Sequence, residues 1–186
     1  MDAAAQYALA YALTTSAGLR AILPLALLSG AIRLGLTAPP PAFDWLGSPG
    51  AAIVLAVLAV VELLADKIPV LDHALHVVQV LTKPAAAAIL VGGAVHAQSH
   101  TVLAALMIVG ALNALGVHAV SSGVRLGSTA TTAGVANPLL SVMEDGAVVV
   151  TSVTAFFAPI LAAALALILV LIVVVTVRAV YRRVKA

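Results

Sequence analysis

Unbroken apolar runs, not alternation, set the pattern of this chain. Residues 50 to 61, 101 to 112 and 160 to 177 carry no charge and almost no polar side chain. Strands crossing a bilayer would alternate apolar and polar positions, so runs of this kind predict membrane-spanning helices. About 20 apolar residues make one crossing. Residues 3 to 34 read as a helix interrupted near Gly18, Arg20 and Pro24, and Pro39, Pro40 and Pro41 place 35 to 49 in an extramembrane loop with Trp45 at the interface. A helix over 50 to 67 follows. A short segment then starts with Asp72 as N-cap, Lys83-Pro84 breaks the chain again, and 85 to 97 is small and apolar. Residues 100 to 122 read as a full crossing. The stretch 146 to 177 has no charge and as one helix would be about 48 Å long. That overshoots a hydrocarbon core of about 30 Å, so Pro159 is expected to divide it.

Composition sharpens this picture into an all-α polytopic helical bundle with broken and short helices. The 186 residues are 63% hydrophobic and 9% charged, with a mean hydropathy of +1.20. Soluble domains carry roughly a quarter charged residues, so the solvent of this chain is lipid. No basic segment precedes the first apolar run, which predicts no cleaved signal. Cysteine is absent, which excludes disulfides and thiolate metal sites. Arg178, Arg182, Arg183 and Lys185 cluster near the C-terminus. By the positive-inside rule they put that end in the cytoplasm of a bacterial inner-membrane protein, in preference to a nucleic-acid footprint.

Polar chemistry is concentrated in a few places. The stretch RLGSTATTAGVANPLLSVMED, residues 125 to 145, gathers Arg125, Ser128, Thr129, Thr131, Thr132, Asn137, Ser141, Glu144 and Asp145 between apolar flanks. Asn137-Pro138 has the form of a helix start, with Asn137 as cap and a loop before it. Asn137, Ser141 and Glu144 then share a helix face, with Asp145 beside it. A half-helix of this kind presents hydroxyls, a positive helix end and a carboxylate to one small space, as ion and solute sites in transporters do. An extramembrane loop with a solvated Glu-Asp pair is the competing reading. In VELLADKIPVLDHALH, residues 61 to 76, Glu62 and Asp66 lie one helical turn apart beside Lys67, an arrangement that recruits a cation or a proton. The alternative is a helix end at the headgroups. Asp72, His73 and His76 form a weak metal candidate, since an i, i+3 histidine pair fixes no third ligand. Capping by Asp72 and interfacial histidines are the preferred reading.

Ionisable groups in hydrocarbon cost about 2.5 to 3.5 kcal/mol each and so face protein or a watery cavity. Arg20 and Arg125 are fork-shaped cations suited to pairing Glu62 or Asp66 and Glu144 or Asp145 respectively, as counter-charges in a pathway or as structural locks. His118 reads as a hydrogen bonder inside the bundle. The runs AAAAILVGGA and LAAALA permit close helix packing, within one chain or between copies in a homo-oligomer. An internal repeat is legible at an offset of 105: TTSAGLR (14 to 20) aligns with AVSSGVR (119 to 125), matching Ser16 with Ser121, Gly18 with Gly123 and Arg20 with Arg125. One transmembrane domain, 1 to 186, then falls into halves at about 1 to 98 and 99 to 186, inverted if each has an odd number of crossings.

The segments SAGLRAILPL, ADKIPVLDH and GSTATTAGVANPLLSVMED, in that order, resemble the bacterial integral-membrane family catalogued as domain of unknown function 4126. The resemblance covers nearly the whole chain and implies a polytopic inner-membrane protein. It marks Arg20, Glu62, Asp66, Lys67, Pro69, Asp72, Ser128, Thr129, Thr131, Thr132, Asn137, Pro138, Ser141, Glu144 and Asp145 as motif positions and assigns none of them a role. The leading expectation is a small transporter or channel for an ion or small polar solute, with no cofactor and no nucleic-acid partner. A non-catalytic membrane scaffold or assembly protein is the alternative. A membrane-embedded enzyme comes third, because no nucleophile motif with a base at fixed spacing is present.

Overall fold

In the computed structural model, residues 1–65 and 69–185 are described, with the side chains of 69–77, 177 and 180–185 left aside. Seven α-helices follow one another, with no strand among the described residues: α1 Ala3–Leu19, α2 Ile22–Arg33, α3 Pro49–Ala65, α4 Pro69–Ala94, α5 His100–Thr132, α6 Asn137–Phe157 and α7 Pro159–Lys185. A 3-10 turn, Pro41–Gly47, lies between α2 and α3.

Proline marks where most of these helices start. Pro49, Pro69 and Pro159 open α3, α4 and α7, and Pro24 and Pro138 sit in the first turns of α2 and α6. A first-turn N–H has no partner within its helix, so proline loses nothing there. Pro24 also explains the α1–α2 break, since in a continuous helix its ring would strike the carbonyl of Arg20, four residues earlier. Arg20 is extended instead, with φ −131° and ψ 119°.

Several expected boundaries move. Lys83-Pro84 does not break the chain, because α4 runs through Pro84. One proline removes one backbone bond, and packing of α4 against both α1 and α5 holds the rest of the helix together. That helix begins at Pro69, so Asp72 lies inside it and is not an N-cap. The expected loop over 125 to 132 is the last part of α5, a 33-residue helix that closes in a left-handed turn at Ala133 (φ 51°) and Gly134 (φ 83°). Pro159 does divide the C-terminal apolar stretch.

Helix α1 is the axis of the bundle and touches α2, α4, α5, α6 and α7. Its inner residues are mostly small, including Ala10, Ala12, Ser16, Ala17 and Gly18, and all of these are buried. In lipid, association is driven by close packing, which small residues permit. At Gly18 a Cβ would lie 2.5 Å from Val117 Cβ and 2.7 Å from the Ala114 carbonyl oxygen, so α5 crosses α1 there nearly backbone to backbone. The 35–49 segment folds back onto the helices: Leu46 is fully buried, and Ser29 Oγ donates to its carbonyl at 2.6 Å. Trp45 remains half exposed.

The outside is apolar. Ile53, Val57, Val61 and Leu64 on α3, Ile108 and Leu112 on α5 and Ile168 and Ile172 on α7 all face outward. Three stretches, His100–Thr132, Asn137–Phe157 and Pro159–Thr176, are long and apolar enough to cross a membrane. The 3-10 turn and α3, bent by 63°, give a fourth if taken as one span. This is a multi-pass helical membrane protein. Gly18→Ala is expected to lower its stability in detergent by about 1–3 kcal/mol through overpacking. Gly116→Ala, whose new methyl meets nothing within 4 Å, is expected to leave thermal unfolding nearly unchanged.

Candidate functional site

The break at Arg20 leaves the first amides of α2 without partners inside an apolar bundle, where no bulk water can receive them. Glu62, near the end of α3 and itself buried, receives them. Its Oε1 accepts from Ala21 N–H at 2.7 Å, and its Oε2 accepts from Ile22 and Leu23 N–H at 3.0 and 3.1 Å. A carboxyl group at a helix N-terminus also faces the positive end of the helix dipole. Glu62 is therefore a helix cap supplied by another helix, and not the partner of Arg20 that its position along the chain implies.

Arg20 turns to α6 instead. Its side chain is 1% exposed, its Nε donates to Asp145 Oδ1 at 2.5 Å, and its Nη2 donates to Ser141 Oγ at 2.8 Å and to the Ser141 carbonyl at 3.3 Å. Arg125 on α5 pairs with Glu144, Nη2 to Oε2, at 2.5 Å. Ser121 Oγ donates to the other carboxyl oxygen of Glu144. Residues adjacent on a helix point about 100° apart, so Glu144 and Asp145 reach two different arginines on two different helices. The expected Arg125–Glu144 pair is present, and Asp145 takes the arginine of the first half.

A third pair was not anticipated. Lys83 on α4 and His118 on α5 are both buried, and Lys83 Nζ lies 2.8 Å from His118 Nδ1. Arg20, Gln79, Lys83, His118, Arg125 and Glu144 surround a void of about 10 Å³, at the lower limit for one water molecule. The signal for this site lay in helical spacing. His118, Ser121 and Arg125 follow i, i+3, i+7 on α5, and Gln79 and Lys83 follow i, i+4 on α4. Reading Lys83 only as the neighbour of a proline hid it. Among the described residues the cluster holds Arg20, Lys83 and Arg125 against Glu62, Glu144 and Asp145, three formal charges of each sign.

The remaining expected site residues stand apart or lie outside the description. Thr129, Thr131 and Thr132 are exposed, and their hydroxyls donate to the helix carbonyls of Arg125, Gly127 and Ser128. This back-bonding is how a hydroxyl-rich segment stays helical. Asn137 does not cap α6: Ala136 holds the cap position, and Asn137 Nδ2 donates to Thr129 Oγ1 at 3.0 Å. Ser128 Oγ and Asn137 Oδ1 have no hydrogen-bond partner among the described residues. Asp66 and Lys67, with the side chains of Asp72, His73 and His76, lie outside the described residues. Among the described residues no three His, Asp or Glu side chains gather as metal ligands do.

On its other side the cluster meets lipid-facing chemistry. Ser121 and Glu144 also line an apolar cleft of about 300 Å³ with Leu140, Met143, Leu169 and Ile172, formed between α5, α6 and α7. Residues 7–179 match the family described as domain of unknown function (DUF4126). The chain belongs to the DUF4126 family. Its match takes in α2 to α6, most of α1 and α7, and every member of the polar cluster. No curated protein and no solved structure matches this DUF4126 chain.

Removing one partner of a buried pair costs about 3–5 kcal/mol because the other charge is left uncompensated. Arg125→Met and Glu144→Leu are each expected to destabilise by that order, and the double variant by clearly less than their sum. A double-mutant cycle of unfolding in detergent measures this. Thr131→Ala is expected to stay within about 0.5 kcal/mol.

Proposed function

We propose that this protein is a small membrane transporter or channel for an ion or small polar solute, here in a closed state. The observation that carries the reading is the polar cluster itself: Arg20, Lys83, Arg125, Glu144 and a histidine line a water-sized void beside a broken helix, with Glu62 capping that break and Asp145 paired to Arg20. Ionisable groups inside a membrane protein are expensive, and their usual setting is an ion or proton path. Ion pairs kept only for stability are replaced by packed apolar side chains at little cost or with gain. The cluster also includes Lys83, whose hydrogen-bond partner among the described residues is a histidine and not a carboxylate.

For a solute to pass, Arg20–Asp145 and Arg125–Glu144 have to part, and both pairs end on α6. Helix α6 is therefore the moving gate. Carboxylates, hydroxyls and imidazole without thiolates suit a hard cation or a proton better than a soft metal. In this reading the protein sits in a bacterial inner membrane with its basic C-terminus in the cytoplasm. Its two halves are related and inverted, and its Ala/Gly faces serve a homo-oligomer.

A second reading, a membrane scaffold, is favoured by one observation: both arginines already have carboxylate partners. Purified protein in proteoliposomes separates the two. Sodium, potassium or proton flux above that of empty vesicles is expected, with Glu144→Gln and Asp145→Asn each reducing it about tenfold or more. If wild type carries none of the three ions, or if Glu62→Gln, Glu144→Gln and Asp145→Asn all leave flux unchanged, the scaffold reading replaces this one.

A further inference from the structure

We propose that Lys83 and His118 together form a binding site for one exchangeable proton at the centre of the bundle. Its part in coupling rests on the transport reading above, whereas the site itself stands on geometry. At 2.8 Å, Nζ and Nδ1 are at hydrogen-bonding distance, and such a bond needs a proton on one nitrogen and a lone pair on the other. An ammonium facing an imidazolium would offer no lone pair, and two positive charges would face each other in a buried place. The pair therefore carries at most one excess proton.

The surroundings poise that proton between staying and leaving. Among the described residues, Arg20 acts on the site from the α1–α2 break, Glu62 from α3, Arg125 from α5 and Glu144 from α6, with Asp145 behind Arg20 as its partner. Each of the three carboxylates is already engaged, Glu62 by backbone amides, Glu144 by Arg125 and Ser121, and Asp145 by Arg20. None of them directly neutralises Lys83 among the described residues. With the proton bound, the described cluster is electrically neutral, and without it the cluster carries one net negative charge. Burial opposes any charge on the pair, while the unbalanced carboxylate field attracts one.

The void of about 10 Å³ touches both residues and is at the lower limit for one water molecule, which could take the proton. In the exchange step an Nζ–H bond breaks, its electron pair stays on the Lys83 amine, and the proton passes to His118 Nδ1 or to a water in the void. Return of a proton reverses the step, so no oxidant, reductant or other reactant is consumed. Gln79, one turn before Lys83 on α4, lines the same void with an amide that can both donate and accept to that water.

The test uses full-length protein in lipid nanodiscs with nitrogen-15 in lysine side chains and histidine rings. Only Lys67, Lys83 and Lys185 contribute lysine signals, and the one lost in Lys83→Met identifies the site. Between about pH 5 and pH 10 the Lys83 and His118 signals are expected to follow one shared titration curve. Independent curves for Lys83 and His118 overturn the site. Proton uptake into proteoliposomes under a potassium diffusion potential, read by an entrapped pH dye, supplies the second arm. Lys83→Met and His118→Gln are each expected to reduce it about tenfold or more. A shared curve without wild-type uptake leaves the site standing and overturns its part in proton transport. Uptake that survives both substitutions, with independent curves, does the reverse.

Discussion

A helix that starts in the middle of an apolar bundle needs something to receive its first amides, and the rest of this structure depends on Glu62 doing so. Pro24 forces the chain to leave its helical path at Arg20, and α2 begins two residues later. Its first two N–H groups and that of Ala21 just before it would be bare but for the carboxyl oxygens of Glu62. A buried amide without a partner is costly in protein and more so in lipid. The cap thus permits the break, and the break lets Arg20 leave the axis of α1 and reach α6. One side chain from α3 in this way determines where a cation on a different helix can go.

From that point the charged residues work as a set of fasteners with different partners. Asp145 ties α6 to the axis through Arg20, and Glu144 ties the same helix to α5 through Arg125. Lys83 and His118 join α4 to α5 lower in charge density, with a histidine standing where a carboxylate would normally be. Helix α6 is held to its neighbours by these polar contacts together with Val148, Ala155 and Phe156 in the apolar core, while α4, α5 and α1 approach one another most closely at Gly18 and Gly110. Polar contacts can exchange partners without leaving a cavity, whereas glycine-mediated contacts cannot.

Much of the architecture could be read from residue pattern because lipid makes the rules strict. Continuous apolar runs, the break near Arg20 and the division at Pro159 are each local consequences of hydropathy and proline chemistry. Boundaries that depended on neighbours were misread. Pro84 was survivable because α1 and α5 support α4 on both sides, and the threonine-rich end of α5 stayed helical because its hydroxyls bond to carbonyls one turn back. Partnership within the site was legible where it is local in structure, as for Arg125 with Glu144. It was not legible for Arg20, whose partner lies 125 residues away, nor for Lys83 and His118, which only the packing of α4 on α5 brings together.

The even count of charges in the buried cluster has an electrical meaning. A rigid group with three positive and three negative formal charges does no net work against a transmembrane voltage when it moves as a unit, whereas one uncompensated charge crossing 100 mV is worth about 2.3 kcal/mol. Rearrangement of the bundle around intact ion pairs is therefore almost invisible to the field. Sensitivity to voltage enters only when a charge is added to this group, removed from it, or separated from its partner along the membrane normal.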